Sequence, residues 1–411
     1  MKRLVLLCLC TLTLLGANQA YACTSAIVSG KITPDGRPIL WKNRDTSNLL
    51  NCVRYMTGEK YNFVAVTAYT DNPRSAWIGT NESGFAIMNT LSYNLVEEED
   101  KGSSKQNGSV MKRALEICAT VADFRNYLDT LCRPMNVQSN YGVIDAQGSG
   151  SYFEVNSTGY KEYDVNDPVA APHGFIVRSN YSFSGKFNEG AGYVRYQEAQ
   201  QKLFSASTTG EITPQWLFTN LSRSYHNPLL GIDLKDGSHN QPQTSGWFVE
   251  QDFIARRSSS CAVAVQGVKS GENASFTTMW TVIGWPPVTP AIPVWVKGAE
   301  KKLPRLLTVE KNSRHCPLCD TADILRHKVY SYHQGANTDL YFNWELLFNR
   351  AGDGYMQQTE KIEKKLFRTL YKRIEGWRAN KSLPVDNVYE LYDHCDALIA
   401  KDFYDLYQWQ L

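Results

Sequence analysis

Short runs of β-branched and aromatic residues, each bounded by Gly, Asn, Asp or Pro, follow one another over the first 300 residues. Runs of this length and composition between turn residues are typical of strands in antiparallel sheets. The predicted strands span residues 24–28, 63–69, 85–88, 141–145, 175–178, 262–268 and 277–283.

Helical periodicity interrupts these strands. Apolar residues recur at every third or fourth position within residues 110–119, after Thr120 and around residues 193–204, and Thr120 itself is a suitable helix cap. Helices inserted between groups of strands favour an α+β layered domain over a series of βαβ units.

The pattern changes after Pro304. Apolar side chains recur with helical spacing in two sets separated by Pro384: Ile362, Leu366, Leu370, Ile374 and Trp377, then Val388, Leu391, Cys395, Leu398 and Phe403. These sets predict a helical hairpin. We therefore predict a main domain over residues 23–300 and a helical C-terminal extension, residues 301–411, packed on it.

The N-terminus has the features of a secretory signal peptide. A basic start is followed by an apolar stretch too short to span a bilayer, and Ala20-Tyr21-Ala22 fits the small-x-small cleavage rule. We predict a signal peptide at residues 1–22, a mature chain that begins at Cys23, and export to the periplasm or the medium. No later apolar run is long enough for a membrane span.

Charge and composition argue against several classes of partner. The 43 Lys and Arg residues nearly balance the 41 Asp and Glu residues, so neither nucleic acid nor an anionic membrane is an expected partner. Cys316 and Cys319 with His315 or His327 could form half a zinc site, but no second pair of ligands follows. A local disulfide or two free thiols fits better. We predict no metal, no cofactor and a small-molecule substrate.

The chemistry centres on the predicted N-terminal cysteine. Once the leader is removed, Cys23 carries a thiol and a free α-amine in one residue. An α-amine is partly neutral at physiological pH and can take the thiol proton directly or through one water. Cys23 can therefore supply both nucleophile and base without a histidine. The alternative is a structural cysteine that merely follows the cleavage site.

A predicted hairpin brings charged residues to this cysteine. Two short strands joined by the turn at residues 33–36 return the chain to its start, which places Asp45 beside Cys23. Asp45 could then accept a hydrogen bond from the amine, while Lys42 or Arg44 favours the thiolate. The alternative is that these charges are solvated at the end of a strand.

The segment CTSAIVSGKITPDGRPILWKNRD resembles the opening of the N-terminal-nucleophile cysteine hydrolases. This superfamily includes choloylglycine hydrolase, penicillin V acylase, the isopenicillin-N acyltransferase family and related dipeptidases. Cys23 matches the nucleophile and Asp45 the aspartate of that family. Lys42 stands where arginine is usual, which keeps the positive charge but loses the fork geometry.

Three later residues are carried over from looser matches. Asn89 ends a segment similar to the family's Asn-Glu-x-Gly turn and strand, and the resemblance implies that its amide binds the oxyanion. Asn180 matches a second asparagine element beside the nucleophile, although Asn-Tyr-Ser is also a glycosylation triplet. Arg195 matches a late arginine, a role for which Arg256 and Arg257 compete. Each asparagine could instead be a turn or strand-edge residue.

The resemblance implies a four-layer αββα sandwich that attacks a linear amide through a thioester on Cys23. Water or another amine would then take the acyl group, so hydrolysis and acyl transfer both fit. One alternative is a dipeptidase of short peptides. Another is a lipid-anchored binding protein with Cys23 lipidated, although Ala20 replaces the bulky apolar residue usual three positions before such a cysteine.

Overall fold

The computed structural model describes residues 22–69, 73–95, 106–238, 245–310, 314–408 and 411. Of the predicted signal peptide, only Ala22 lies within these ranges. The strands are β1 Thr24–Val28, β2 Ile39–Asp45, β3 Asn51–Met56, β4 Phe63–Ala68, β5 Ile78–Asn81, β6 Ala86–Leu91, β7 Ser139–Ile144, β8 Gly150–Val155, β9 Tyr160–Asp164, β10 Phe175–Arg178, β11 His226–Asn227, β12 Ile232–Asp233, β13 Trp247–Val249, β14 Ser259–Gln266, β15 Thr278–Ile283, β16 Ile292–Val294 and β17 Tyr341–Asn343.

Most of these strands form two antiparallel sheets. The first sheet has six strands in the order β10-β1-β2-β14-β15-β16, and the second is a seven-stranded meander from β3 to β9. Two small ribbons pair β11 with β12 and β13 with β17. All seven strands predicted from the sequence are present, and the α+β class with antiparallel sheets is confirmed.

The helices are α1 Asn107–Ile117, α2 Val121–Thr130, α3 Tyr193–Thr209, α4 Pro214–Leu217, α5 Pro317–Val329, α6 Trp344–Leu347, α7 Tyr355–Ala379 and α8 Val385–Tyr407. The predicted cap at Thr120 is confirmed, because its hydroxyl accepts a hydrogen bond from the Asp123 amide while the Asp123 carboxylate accepts one from Thr120. This reciprocal pair satisfies two amides that the helix itself leaves without partners.

The central strands of both sheets are buried on both faces. One face of the meander packs on α1 and α2, where Phe124 of α2 meets Phe153 of β8 edge to face at 5.2 Å. Its other face meets the six-stranded sheet, and a 2.9 Å hydrogen bond joins Ser25 of β1 to Tyr152 of β8. Since β2 lies inside this stack, all seven of its residues are buried, including the charged ones.

The predicted helical hairpin is present as α7 and α8. Phe367 of α7 stacks on Trp280 of β15 with ring centres 4.4 Å apart, and Glu363 accepts two hydrogen bonds from the buried Arg223 at 2.7 and 2.9 Å. The extension is not wholly helical, because β17 pairs with β13. No helix in the described ranges is long and apolar enough to cross a membrane.

The eight cysteines of the described ranges are all free thiols. Cys316 and Cys319 lie at the start of α5 as separate buried thiols. Of the local disulfide and the two free thiols considered for this pair, the structure has the free thiols. Cys132 is exposed, whereas Cys23 and the remaining cysteines are buried.

Candidate active site

Cys23 lies immediately before β1, at the open end of the hairpin formed by β1 and β2. Thr24 pairs with Asn43 across this hairpin, and Gly36 supplies a positive φ of 72° in the connecting turn. The return of the chain puts the backbone oxygen of Asp45 3.9 Å from Cys23 Sγ. The hairpin that the sequence predicts therefore forms and brings these two residues together.

The backbone of Cys23 is held on both sides. Its nitrogen donates to Asn180 Oδ1 at 2.9 Å, and its carbonyl oxygen accepts from Arg195 Nη1 at 2.7 Å. Arg195 also donates to Asn180 Oδ1 at 2.9 Å, and Asn180 Nδ2 donates to the Leu91 carbonyl at 2.8 Å. Asn180 is completely buried, so a glycan on this residue is incompatible with the fold.

Alternation along β2 divides its polar side chains between two environments. Successive residues of a strand point to opposite faces, so Lys42 and Arg44 share one face and Asn43 and Asp45 share the other. The hydrogen-bond partners agree with this division. Lys42 and Arg44 reach groups of the seven-stranded sheet, whereas Asn43 bonds to Ile254 and Ser259 on the other side.

Lys42 and Asn89 meet on the face that looks toward the second sheet. Lys42 Nζ donates to Asn89 Oδ1 at 2.9 Å and to the Trp77 carbonyl at 3.0 Å. Because an ammonium only donates, this contact fixes the orientation of the Asn89 amide, and Asn89 Nδ2 donates to Ser139 Oγ at 2.9 Å. Burial lowers the pKa of Lys42 to about 8, although the nearby Cys23 opposes the shift.

Arg44 extends the same positive face. Its Nη1 donates to Asn51 Oδ1 at 3.0 Å and to Ser260 Oγ at 3.1 Å. The guanidinium carbon also lies 4.6 Å from the ring centre of Trp77, a cation–π contact. The planar group is thus fixed against the wall of the site.

The Asp45 carboxylate lies on the opposite face of β2. Its Oδ1 accepts from Ser259 Oγ at 2.7 Å and from Asn43 Nδ2 at 3.1 Å, and Arg256 Nε is 3.3 Å from Oδ2. Burial raises the pKa of Asp45 to about 6, against the pull of Arg256 and Arg195. In this chain, where Ala22 still precedes Cys23, the Cys23 nitrogen donates to Asn180 and the carboxylate is held by these other groups.

Three residues contribute more to the site than the sequence indicates. Asp252 accepts from Arg195 Nε at 2.9 Å and also from Arg256 Nη2, so one carboxylate ties together the arginine behind Cys23 and the arginine beside Asp45. Arg195, a weak candidate in the sequence, contacts Cys23 directly. The sequence indicates Arg256 only as a competitor of Arg195, and it gives no signal for Asp252, because the contact of Asp252 with Arg195 joins residues 57 apart in the chain.

Two cavities lie in this region of the structure. One of about 370 Å³ lies between the sheets and is lined by Cys23, Lys42, Arg44, Asp45, Thr46, Asn48, Ala68, Trp77, Asn89, Leu91 and Asn107. A second, of about 520 Å³, adjoins Ala22 and includes Arg195, Asp252 and Arg256 in its lining. Within the parts of the chain that the structure describes, no group of three or more His, Cys, Asp or Glu side chains is placed to hold a metal ion.

The pKa of Lys42 predicts the alkaline limit of activity. A lowered pKa means that Lys42 loses its charge as pH rises through about 8, and an uncharged Lys42 no longer stabilises a thiolate at Cys23. We expect kcat/KM on an amide substrate to fall above about pH 8. In a Lys42→Arg variant, which stays charged, this fall should disappear or move upward in a pH–rate profile.

The groups around Lys42 that carry charge or can titrate are Cys23, Arg44, Cys261 and Asp45. An Asp45→Asn variant provides the control, because it should change the acidic side of the profile and leave the fall above pH 8 in place. An unchanged alkaline limb in Lys42→Arg would contradict the assignment to Lys42.

No protein-family model and no curated protein matches the chain. Its structure is similar to a Caenorhabditis elegans N-acylethanolamine-hydrolyzing acid amidase, with 16% identity, 44% of this chain and 77% of the other covered, and a TM-score of 0.35. A conjugated bile acid hydrolase from Clostridium perfringens matches with 11% identity, coverage of 67% and 92%, and a TM-score of 0.41.

A penicillin V acylase from Agrobacterium tumefaciens matches with 12% identity, coverage of 67% of this chain and 86% of the other, and a TM-score of 0.34. The three names are those of an amidase, a hydrolase and an acylase. Every TM-score is below 0.5, so the assignment of chemistry depends on the contacts around Cys23.

Proposed function

We propose that this chain is an exported cysteine amidohydrolase or acyltransferase that acts on linear amide bonds through Cys23. The observation that carries the proposal is the placement of Cys23. Its backbone is fixed by Asn180 and Arg195, while Lys42 lines the same inter-sheet cavity of small-molecule size. A structural cysteine has no need of a buried cation or a cavity.

In the proposed mechanism, cleavage before Cys23 turns its peptide nitrogen into the α-amine. The amine takes the thiol proton, Sγ bonds to the amide carbon, and negative charge develops on the carbonyl oxygen. The C–N bond then breaks and the amine returns the proton to the leaving nitrogen, which gives a thioester. Water or an acceptor amine adds to the thioester carbon, gives up a proton and regenerates the thiol.

The surrounding residues support these steps. Asn89 has a second side-chain N–H beyond the one given to Ser139, and an amide donor aimed at a developing oxyanion contributes about 3–4 kcal/mol in comparable hydrolases. Asn180 and Arg195 hold the nucleophilic residue in place. Asp45 acts from the opposite face of β2, where with Arg256 it stabilises the strand end next to the amine.

We also propose the layered architecture that the resemblance implies, together with export of the chain. The main domain, residues 23–300, would be a four-layer αββα sandwich, an arrangement supported by α1 and α2 on one sheet and α3 and α4 on the other. Export rests on the N-terminal pattern alone. Ala22 and Cys23 are only 5% and 7% exposed, so we propose that the leader is removed before this end of the domain has closed.

The thioester provides the direct test. Purified, processed protein is mixed with a panel of N-acyl amides, quenched in acid within seconds and digested. The peptide that begins at Cys23 should gain the mass of the acyl group and lose it on treatment with hydroxylamine. Protein pre-treated with iodoacetamide at Cys23 serves as the control.

A chain that starts before Cys23, or a lipid attached to its thiol, would overturn the proposal. Turnover without any acyl mass on this peptide would overturn the covalent mechanism as well. Thioester formation from free dipeptides but not from neutral N-acyl amides would favour the alternative that the protein is a dipeptidase.

A further inference from the structure

The cavity that contains the thiol has a positive wall. Residues paired across two strands share a face, so the pairing of Thr24 with Asn43 puts the side chain of Cys23 on the same face as Lys42 and Arg44. Among the residues that the structure describes, Asp45 is the only acidic one that lines this cavity, and its carboxylate points to the opposite side of β2.

Lys42 makes only neutral hydrogen bonds on this face. Its ammonium donates to Asn89 Oδ1 and to the Trp77 carbonyl, and the residue is 2% exposed. Burial removes the hydration of this charge, and the two neutral oxygens replace it only in part, since the nearby Asp45 carboxylate is held by Asn43 and Ser259 on the other side of β2. The site therefore favours an anion that enters the cavity.

Acylation of Cys23 changes the balance of charge next to Lys42. Before acylation, a thiolate at Cys23 can serve as the anion for Lys42. After acylation the sulfur belongs to a neutral thioester, so Lys42 loses that partner while the acyl group occupies the cavity. An acyl group with its own carboxylate would restore the balance in the acyl-enzyme.

The dimensions of the cavity limit the acyl group. Its volume of about 370 Å³ lies at the small end of the usual range of roughly 300–1,000 Å³ for small-molecule sites. Trp77, Ala68 and Leu91 supply an apolar wall that suits a few methylene groups. A short chain between the carbonyl and the charged end fits this combination.

We propose that the inter-sheet cavity binds a short acyl group that carries a carboxylate, and that Lys42 is the residue that binds this carboxylate. Arg44 contributes a second positive charge to the same wall. The inference rests on the proposed function of Cys23 and specifies the acyl half of its substrate as the monoamide of a short dicarboxylic acid.

The test compares two amides of 4-nitroaniline that have the same shape. One carries a glutaryl group, and the other carries 5-methylhexanoyl, in which an isopropyl group replaces the carboxylate. The processed protein should turn over the glutaryl amide with a kcat/KM about 10- to 100-fold higher, as a charge-assisted hydrogen bond predicts. Lys42→Gln should remove most of this preference, and Lys42→Arg should retain it.

Lys302→Gln is the matched control, because Lys302 pairs with Asp393 on the exposed surface of the extension. The preference of Lys302→Gln for the glutaryl amide should stay within about twofold of the wild-type value. If Lys42→Gln turns over too slowly to measure, calorimetry on a Cys23→Ala background decides. Glutarate should bind at least about 10-fold more tightly than 5-methylhexanoate, and Lys42→Gln should abolish the difference.

An equal or reversed preference in the wild type, with acyl mass found on Cys23 from both amides, would overturn this inference and leave the proposed function standing. The same holds if other amides acylate Cys23 but the glutaryl amide does not. If no amide in the panel acylates Cys23, the proposed function fails, and the inference fails with it.

Discussion

A Cys23→Ser variant should lose amide turnover by at least about 1,000-fold and keep its fold, because a hydroxyl is a much weaker acid than a thiol and the same α-amine and Lys42 activate it poorly. Sγ faces a cavity and makes one long contact, to the Asp45 carbonyl at 3.9 Å. The substitution therefore removes the reactive thiol and changes the packing little. Steady-state kinetics on an N-acyl amide and thermal unfolding of the same preparation measure the two effects.

Cys132→Ser is the matched control, since Cys132 is the exposed cysteine of the described chain and lies outside the site. Its kcat/KM should stay within about twofold of the wild type. A Cys23→Ser protein with more than a tenth of wild-type activity, confirmed free of contaminating hydrolase, would rule out the thiol as nucleophile.

The second large effect is expected for Arg195→Met. Arg195 is almost completely buried and donates to Cys23 O, Thr24 Oγ1, Asn180 Oδ1 and Asp252 Oδ1, all at 2.7–2.9 Å. Without these bonds the nucleophile is no longer held in one position, and misplacement of about 1 Å can cost 100-fold in rate. We expect kcat to fall by about 100-fold and the free energy of unfolding by about 3 kcal/mol.

Arg195 positions the nucleophile and does not itself react. Its effect on kcat can therefore be separated from its effect on the free energy of unfolding. Arg195→Lys keeps the charge without the fork, so it should recover stability more than kcat. Arg125→Met, which breaks an ion pair with Glu162 on the protein surface, should leave kcat within about twofold. A loss of stability in Arg195→Met at unchanged kcat would show a purely structural role.

Much of the fold could be predicted because its signals are local. The run at residues 24–28, the turn with Gly36 and the Thr120 cap each depend on residues a few positions apart, and each is present in the structure. Strands β3, β5, β8 and β9 were not predicted. They are completed by partners in the sheet, since a short or polar strand is stabilised by its neighbours more than by its own propensity.

The residues of the site could likewise be predicted where the signal is local or where the resemblance supplied it. The hairpin that returns Asp45 to Cys23 follows from a short-range pattern, and the resemblance supplied Asn89 and Asn180. The direction of the Asp45 carboxylate depends on which face of β2 meets the second sheet. The bridge from Arg195 through Asp252 to Arg256 joins residues 57 apart in sequence at its first contact, and no local pattern encodes such a distance.

The division of β2 into two faces makes the register of the β1–β2 hairpin a determinant of the chemistry. Cys23 and Asp45 are 22 residues apart, and a shift of one residue in the pairing of β1 with β2 would exchange the two sets of side chains. Asn43 and Asp45 would then enter the cavity with the thiol, and the two cations would turn toward the helices. A homologue in which β1 and β2 pair one residue away from this register would thus carry the same residues in an electrostatically inverted site.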